Sequence, residues 1–189
     1  MTPPRIIAIT GHARHGKDTL ADYLVIRYGY AKYSLAAPLK AAACAMFGWS
    51  ACDIETEKDC IDARYGITPR QVLQALGTEF GQRTLCDMFP AFASATGRKL
   101  WIRSLLARSA SEPRLVISDM RFPHEAEEAK AAGAYIIKVV RPSWPVDLSH
   151  ESESAVAQIT PDTIITNGAD IPALDRQLDV LMHYLEGIA

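Results

Sequence analysis

The stretch Gly11-His12-Ala13-Arg14-His15-Gly16-Lys17 constrains this chain more than any other. It fits G-x-x-x-x-G-K, with a β-branched run before it (Arg5 to Thr10, RIIAIT). Behind it Leu20, Ala21, Leu24 and Tyr28 recur at helical spacing, and Gly29 stops the helix. In a strand, turn and helix of this kind, glycines let successive backbone N–H groups turn inward around an anion. The helix points its positive end at the same place. Lys17 adds an ammonium that can reach the outer phosphates and follow charge as it moves. A plain glycine turn carrying a surface lysine is the rival reading, and the flanking strand and helix weigh against it. Gly11, Arg14, His15, Gly16, Lys17, Asp18 and Thr19 are therefore the expected phosphate-binding segment. A hydroxyl usually follows the lysine and binds magnesium. Here Asp18 stands in that place and the hydroxyl falls at Thr19. Magnesium takes hard oxygen ligands, so Asp18 is expected on the metal side, with helix capping as its alternative role. The side chains of His12, Arg14 and His15 are expected to be exposed, and Arg14 is best placed to touch a phosphate.

The rest of the chain supplies a frame for that loop. Leu115 to Ser118, Tyr135 to Val140 and Asp162 to Thr166 are further apolar runs, alternating with helix-prone segments. Continuous apolar strands separated by helices imply a three-layer α/β fold, a parallel sheet covered on both faces. Tyr30 to Leu35 reads as a short extra strand. Helices are expected over Pro38 to Phe47, from Thr68-Pro69 onward, over Lys99 to Ser109, over Pro123 to Ala132, and from Ile171 to Leu185. Val72, Leu73, Leu76 and Phe80 would share one apolar face. Gly48 to Gly66 is polar and aperiodic, hence a loop or mobile insert. Arg141 to Glu153 reads as a loop or lid. Ligands of such sheets bind at the carboxyl ends of the strands, so Gly11 to Thr19, Asp119 to Arg121 and Asn167-Gly168 should converge.

Asp119 ends an apolar strand, where a carboxylate could hold a magnesium water or orient the attacking oxygen. Capping the next helix or pairing with Arg121 is the alternative. The Arg121 guanidinium is suited to clamping a phosphate through two hydrogen bonds, with a salt bridge to Glu125 as its rival.

Bulk properties narrow the class. A chain of 189 residues is expected to form one domain. With a net charge of -2, no general attraction to a nucleic-acid polymer or an anionic membrane is expected. No apolar run approaches the roughly 18 residues of a membrane span. The cysteines at 44, 52, 60 and 86 form no C-x-x-C pair and read as free thiols of a cytoplasmic protein.

Several segments together resemble a known family. GKDT (Gly16 to Thr19), TPRQVLQALGTEFG (Thr68 to Gly81), ISDMRFPHEAE (Ile117 to Glu127), VVRP (Val139 to Pro142) and HESE (His150 to Glu153) are similar to the phage-type deoxynucleoside monophosphate kinases. These belong to the P-loop nucleoside monophosphate kinase fold. The resemblance runs in order from residue 5 to about 185. It implies ATP and Mg2+ as cofactors, a deoxynucleoside monophosphate as acceptor, a helical acceptor region over about 36–110 and a lid over 141–155. It also implies that Asp18 is normal for the family. Arg70, Gln74, Gly77, Thr78 and Glu79 would lie near the acceptor, Arg121 near its phosphate or the transferring one, and Arg141 at the start of the lid. His150 falls in the HESE segment as a further acceptor-side candidate, although its spacing alone fits a surface residue. Asn167 would lie under the donor adenine, by analogy with the general fold. One departure is Gly81-Gln82-Arg83, where relatives often have Gly-Arg directly. That leaves the role of Arg83 open. The remaining alternatives are another small-molecule kinase, acting on a nucleoside or dephospho-coenzyme A, and a non-catalytic nucleotide-binding protein. No N-K-x-D guanine motif occurs. A homodimer is compatible with the sequence.

Overall fold

Ile6–Thr10 forms strand β1, and all five of its residues are buried. A strand apolar on both faces needs cover on both, which fixes it in the interior of a sheet. The computed structural model describes residues 3–146 and 151–187. After β1 come α1 (Lys17–Tyr28), β2 (Ala31–Tyr33), α2 (Ala37–Phe47), α3 (Ala51–Thr56) and α4 (Pro69–Gln74). A π-helix (Ala75–Thr84) then leads to α5 (Leu85–Met88), α6 (Pro90–Ala95) and α7 (Leu100–Arg108). The chain continues through β3 (Leu115–Met120), α8 (Pro123–Ala131), β4 (Ala134–Val140), α9 (Glu151–Ala155), β5 (Thr163–Thr166) and α10 (Ile171–Glu186).

The strands pair in the order β2-β3-β1-β4-β5, every pair parallel. Ile7 sits between Val116 of β3 and Tyr135 of β4. The chain builds β2 and β3 on one side of β1 and then crosses to β4 on the other. The order of strand addition thus switches sides at β1, and at the carboxyl ends of the strands beside such a switch a crevice opens. The loop from Gly11 leaves the strand there.

Two compact units divide the chain: 1–34 with 105–189, and 35–104. In the first, Ile7, Ile9, Leu20, Leu24, Val116, Ile137, Val139, Leu174, Leu178 and Met182 form one buried cluster between the sheet, α1 and α10. Burying each such side chain contributes about 1.5–3 kcal/mol. The hydroxyls of Tyr23 and Tyr28 both donate to Asp179, which ties α1 to α10.

The second unit has its own small core of Ala43, Trp49, Ile54 and Val72. Here two expectations are corrected, and a third in the sheet. Gly48 to Gly66 is not a structureless insert. Ser50 caps α3 in a reciprocal capping box with Asp53, and Trp49 donates its indole N–H to Asp62 at 2.6 Å. Phe47 stacks on Trp49 at 4.6 Å, and Tyr65 stands edge-on to Phe47. Polar composition hid these local caps. The helix begun by the predicted Thr68 cap does not stay α-helical. From Ala75 it winds wider, as in the bond from the Leu85 N–H to the Phe80 carbonyl. The α-helical spacing from Val72 to Phe80 therefore drifts off the buried face, and Phe80 is 48% exposed. Lastly, β2 spans only Ala31–Tyr33, shorter than the Tyr30 to Leu35 expected.

Candidate active site

The loop is shaped by close main-chain contacts. Gly11 has φ 143°, and a Cβ there would stand 2.4 Å from the Val139 carbonyl oxygen. Only glycine lets the end of β1 lie so near the end of β4. Gly16 has φ 100°, and its missing Cβ would meet the Asn167 amide nitrogen at 2.6 Å. That amide donates to the His15 carbonyl at 3.0 Å, so Asn167 supports the loop from the turn after β5. Arg14 is exposed and adopts a left-handed φ of 62°.

His15 corrects an expectation: its ring is buried. It packs at the carboxyl end of β4, where Nδ1 accepts the Arg141 N–H at 3.2 Å. Desolvation pushes its pKa below 6.5 and favours the neutral ring. His12 is half-buried.

Lys17 is only 6% exposed, and its Nζ donates to the His12 carbonyl at 2.8 Å. Burial, reinforced by the Arg121 charge, lowers its pKa from 10.5 to about 8. Glu153, Asp18 and Asp119 pull in the opposite direction without cancelling the effect. Asp18 neither caps α1 nor turns inward. Its exposed carboxylate pairs with Lys32 at 3.0 Å. Thr19 is half-buried in the first turn of the same helix. The Asp119 carboxylate accepts the Ser34 hydroxyl at 2.6 Å, and the α8 cap falls to Glu125 instead.

Glu125 accepts the main-chain N–H groups of Arg121 (2.9 Å) and Phe122 (3.0 Å). Burial raises its pKa to about 7, against the pull of those two donors. The Arg121 guanidinium does not form the anticipated pair with Glu125. It pairs with Glu153, from the short helix α9. Glu153 also accepts the Ala13 N–H at 3.1 Å and lies 3.2 Å from Nδ1 of His12. Burial opposes its charge, but Arg121, Ala13, His12 and Lys17 outweigh it and hold its pKa below the ordinary carboxylate value. Sequence reasoning quoted HESE yet assigned Glu153 nothing. It lies 140 residues from Ala13, and no local spacing links the two.

A cavity of about 490 Å3 adjoins the loop, lined by Arg14, Lys17, Thr19, Arg141, Asn167 and Leu174 among others. The Arg141 guanidinium lies over the Trp144 ring at 4.8 Å. This site fits a nucleoside polyphosphate. Its glycine-lined loop admits no Cβ at two places, its lysine is buried and cationic, and one of its amides already binds an anionic oxygen. Magnesium fits less completely. Asp18 and Asp119 both act on the Lys17 charge, but no group of three His, Cys, Asp or Glu that could hold a metal occurs among the described residues. A magnesium ion here would draw most of its ligands from phosphate oxygens and water, as this ion commonly does.

Five of the acceptor candidates, Arg70, Gln74, Gly77, Thr78 and Glu79, lie in the other unit, on one continuous helical run. Arg70 is exposed and forms a two-pronged pair with Asp59. Gln74 is half-buried at the end of α4. Gly77 and Thr78 are buried, while Glu79 is exposed and pairs with Arg83 at 2.8 Å. The Trp101 indole crosses this π-helix. Its N–H donates to the Gly77 carbonyl at 2.9 Å, and a Cβ on Gly81 would come within 2.3 Å of its ring. His150 lies outside the described residues.

The chain is similar to several known proteins. The family described as deoxynucleotide monophosphate kinase matches the chain over residues 5–64 and 50–178. A protein of Acanthamoeba polyphaga mimivirus, provisionally named a deoxynucleotide monophosphate kinase, is 33% identical over 181 residues. The match covers 92% of this chain and 93% of the relative. The deoxynucleotide monophosphate kinase of Enterobacteria phage T4 is 22% identical over 231 residues, covering 90% and 95%. Among solved structures, a sugar kinase from Janibacter sp. HTCC2649 superposes with a TM-score of 0.51 at 14% identity, covering 99% of both chains. A gluconokinase from Sinorhizobium meliloti 1021 gives 0.50 at 11%, covering 100% of this chain and 99% of the other. At such identities these two show the fold alone, a parallel sheet of the P-loop kinase type. No described helix is long and apolar enough to cross a membrane. By its matched length and its closely covered relatives, the chain belongs to the deoxynucleotide monophosphate kinase family and is a phosphotransferase.

Proposed function

We propose that this kinase transfers the γ-phosphoryl group of ATP to the phosphate of a deoxynucleoside monophosphate, giving the diphosphate and ADP. The observation that carries this reading is the buried ammonium of Lys17, held inside a glycine-built turn at the mouth of a parallel sheet. A cation kept there at the cost of desolvation is poised to meet an entering polyanion.

In this reading the amides of Gly11 to Thr19 hold the donor phosphates, with Arg14 at the rim and His15 and Asn167 bracing the loop. Lys17 and Arg121 stabilise charge on the moving group, and Arg141 joins them from a lid over 141–155. Asp18 and Asp119 would hold a magnesium ion, directly or through water, and that ion would supply positive charge against the outer donor phosphates. The acceptor phosphate is already anionic near neutral pH, so Asp119 need only orient it. Region 36–110 takes the acceptor, with Arg70, Gln74, Gly77, Thr78, Glu79 and His150 near it. The names of the mimivirus and phage relatives support the substrate class. Only small-molecule partners are required.

The test is a coupled ADP assay with ATP and MgCl2 over all deoxy- and ribonucleoside monophosphates. Turnover with at least one deoxynucleoside monophosphate is expected. Turnover confined to nucleosides or pantetheine-type acceptors, or none beyond ATP hydrolysis, would refute the assignment.

A further inference from the structure

The two carboxylate oxygens of Glu153 face different parts of the site. Oε2 accepts the Ala13 N–H and meets His12 Nδ1, while Oε1 takes the Arg121 guanidinium. The side chain is only 10% exposed. Around it the contacts are continuous. Lys17 holds the His12 carbonyl, and Glu125 holds the Arg121 main chain. One carboxylate therefore joins the first turn of the phosphate loop to the guanidinium at the end of β3.

We propose that Glu153 is a positioning residue for phosphoryl transfer, setting the separation and orientation of Arg121 against the Ala13 turn so that both meet one phosphate. This rests on the function proposed above. A simpler idea is that the carboxylate only stands where phosphate oxygens will go and departs when they arrive. The geometry favours the bridge. A placeholder needs only the donors that a phosphate would use, whereas Glu153 also meets the His12 side chain, which has no part in the cradle, and its contacts come from two strand ends at once. With Arg121 paired, the carboxylate charge is shielded from an incoming anion, so it can stay.

The test is a double-mutant cycle on kcat, with ATP and whichever deoxynucleoside monophosphate the wild-type enzyme uses best. Glu153→Gln keeps the shape and loses the charge. It should lower kcat about 10- to 100-fold while the KM for ATP moves less than about threefold. On an Arg121→Ala background the same change should cost less than about threefold, because its target is gone. Glu153→Asp keeps the charge on a shorter arm, should lose less, and carries the same cycle if the glutamine variant does not fold. Equal losses on both backgrounds would overturn the proposal. So would an unchanged or faster kcat with a lower KM for ATP, the signature of a mere placeholder. Wild-type enzyme inactive on every monophosphate would instead remove the proposed function and this role with it.

Discussion

Replacing Lys17 with methionine should abolish transfer and at the same time make the protein more stable. Lys17 is only 6% exposed, and its pKa falls from 10.5 to about 8 on folding, chiefly through desolvation. A drop of that size, at 1.36 kcal/mol per pKa unit, means that the native state pays about 3 kcal/mol to keep the charge. Methionine fills nearly the same space without it. The variant loses the bond to the His12 carbonyl, which offsets about 1–2 kcal/mol. The net gain is about 1–2 kcal/mol, or roughly 2–8 °C in Tm for a chain of this size. The pH dependence gives a sharper check. The folded pKa lies below the unfolded one, so the unfolded chain holds the proton more tightly. The penalty is fully present below pH 8 and is relieved as pH rises towards 10.5. Urea unfolding of both proteins between pH 7 and 10.5 should show the stability gap closing across that window. A methionine variant no more stable than wild type at pH 7, or a gap that ignores pH, would refute the argument that burial strains this lysine. Full retained activity would remove its assigned role.

Three other outcomes are expected. Gly11→Ala puts a methyl group against the main chain of β4 at an unfavourable φ. It should cost about 2 kcal/mol or more in urea unfolding and weaken ATP binding measured by calorimetry. Glu125→Gln should flatten the stability profile between about pH 4.5 and 7. The raised folded pKa gives wild type a contribution that is complete below 4.5 and lost as pH climbs through about 7, and an unaltered profile would contradict it. Gly81→Ala should lower Tm measurably, and Trp101→Phe should cost about 1 kcal/mol of stability through loss of the bond to Gly77. Equal stability of both variants with wild type would mean that the indole does not brace the π-helix.

The sheet and the loop were legible because their signals are local. Ile6 to Ile9 is apolar at every position, and the glycines and lysine after the strand sit at fixed offsets. Leu115 to Asp119 was readable for the same reason. What escaped depends on contacts between distant residues. The burial of His15 follows from the end of β4, 126 residues away, and the pairing of Arg121 from Glu153 on a helix too short to have a period. Gly48 to Gly66 looked unstructured because its order comes from a capping box and an indole bond, which hydrophobic periodicity does not register. The π-winding was equally hidden, since its residues are compatible with an α-helix.

That winding has a consequence for how the chain tolerates insertion and deletion. Removing one residue between Ala75 and Thr84 would let the segment coil in the ordinary way and lose nothing in hydrogen bonds. Glu79 and Arg83 would then swing to another azimuth and Gly81 would slip from beneath the indole. A single-codon deletion there leaves composition almost untouched and yet re-aims every side chain that the segment presents.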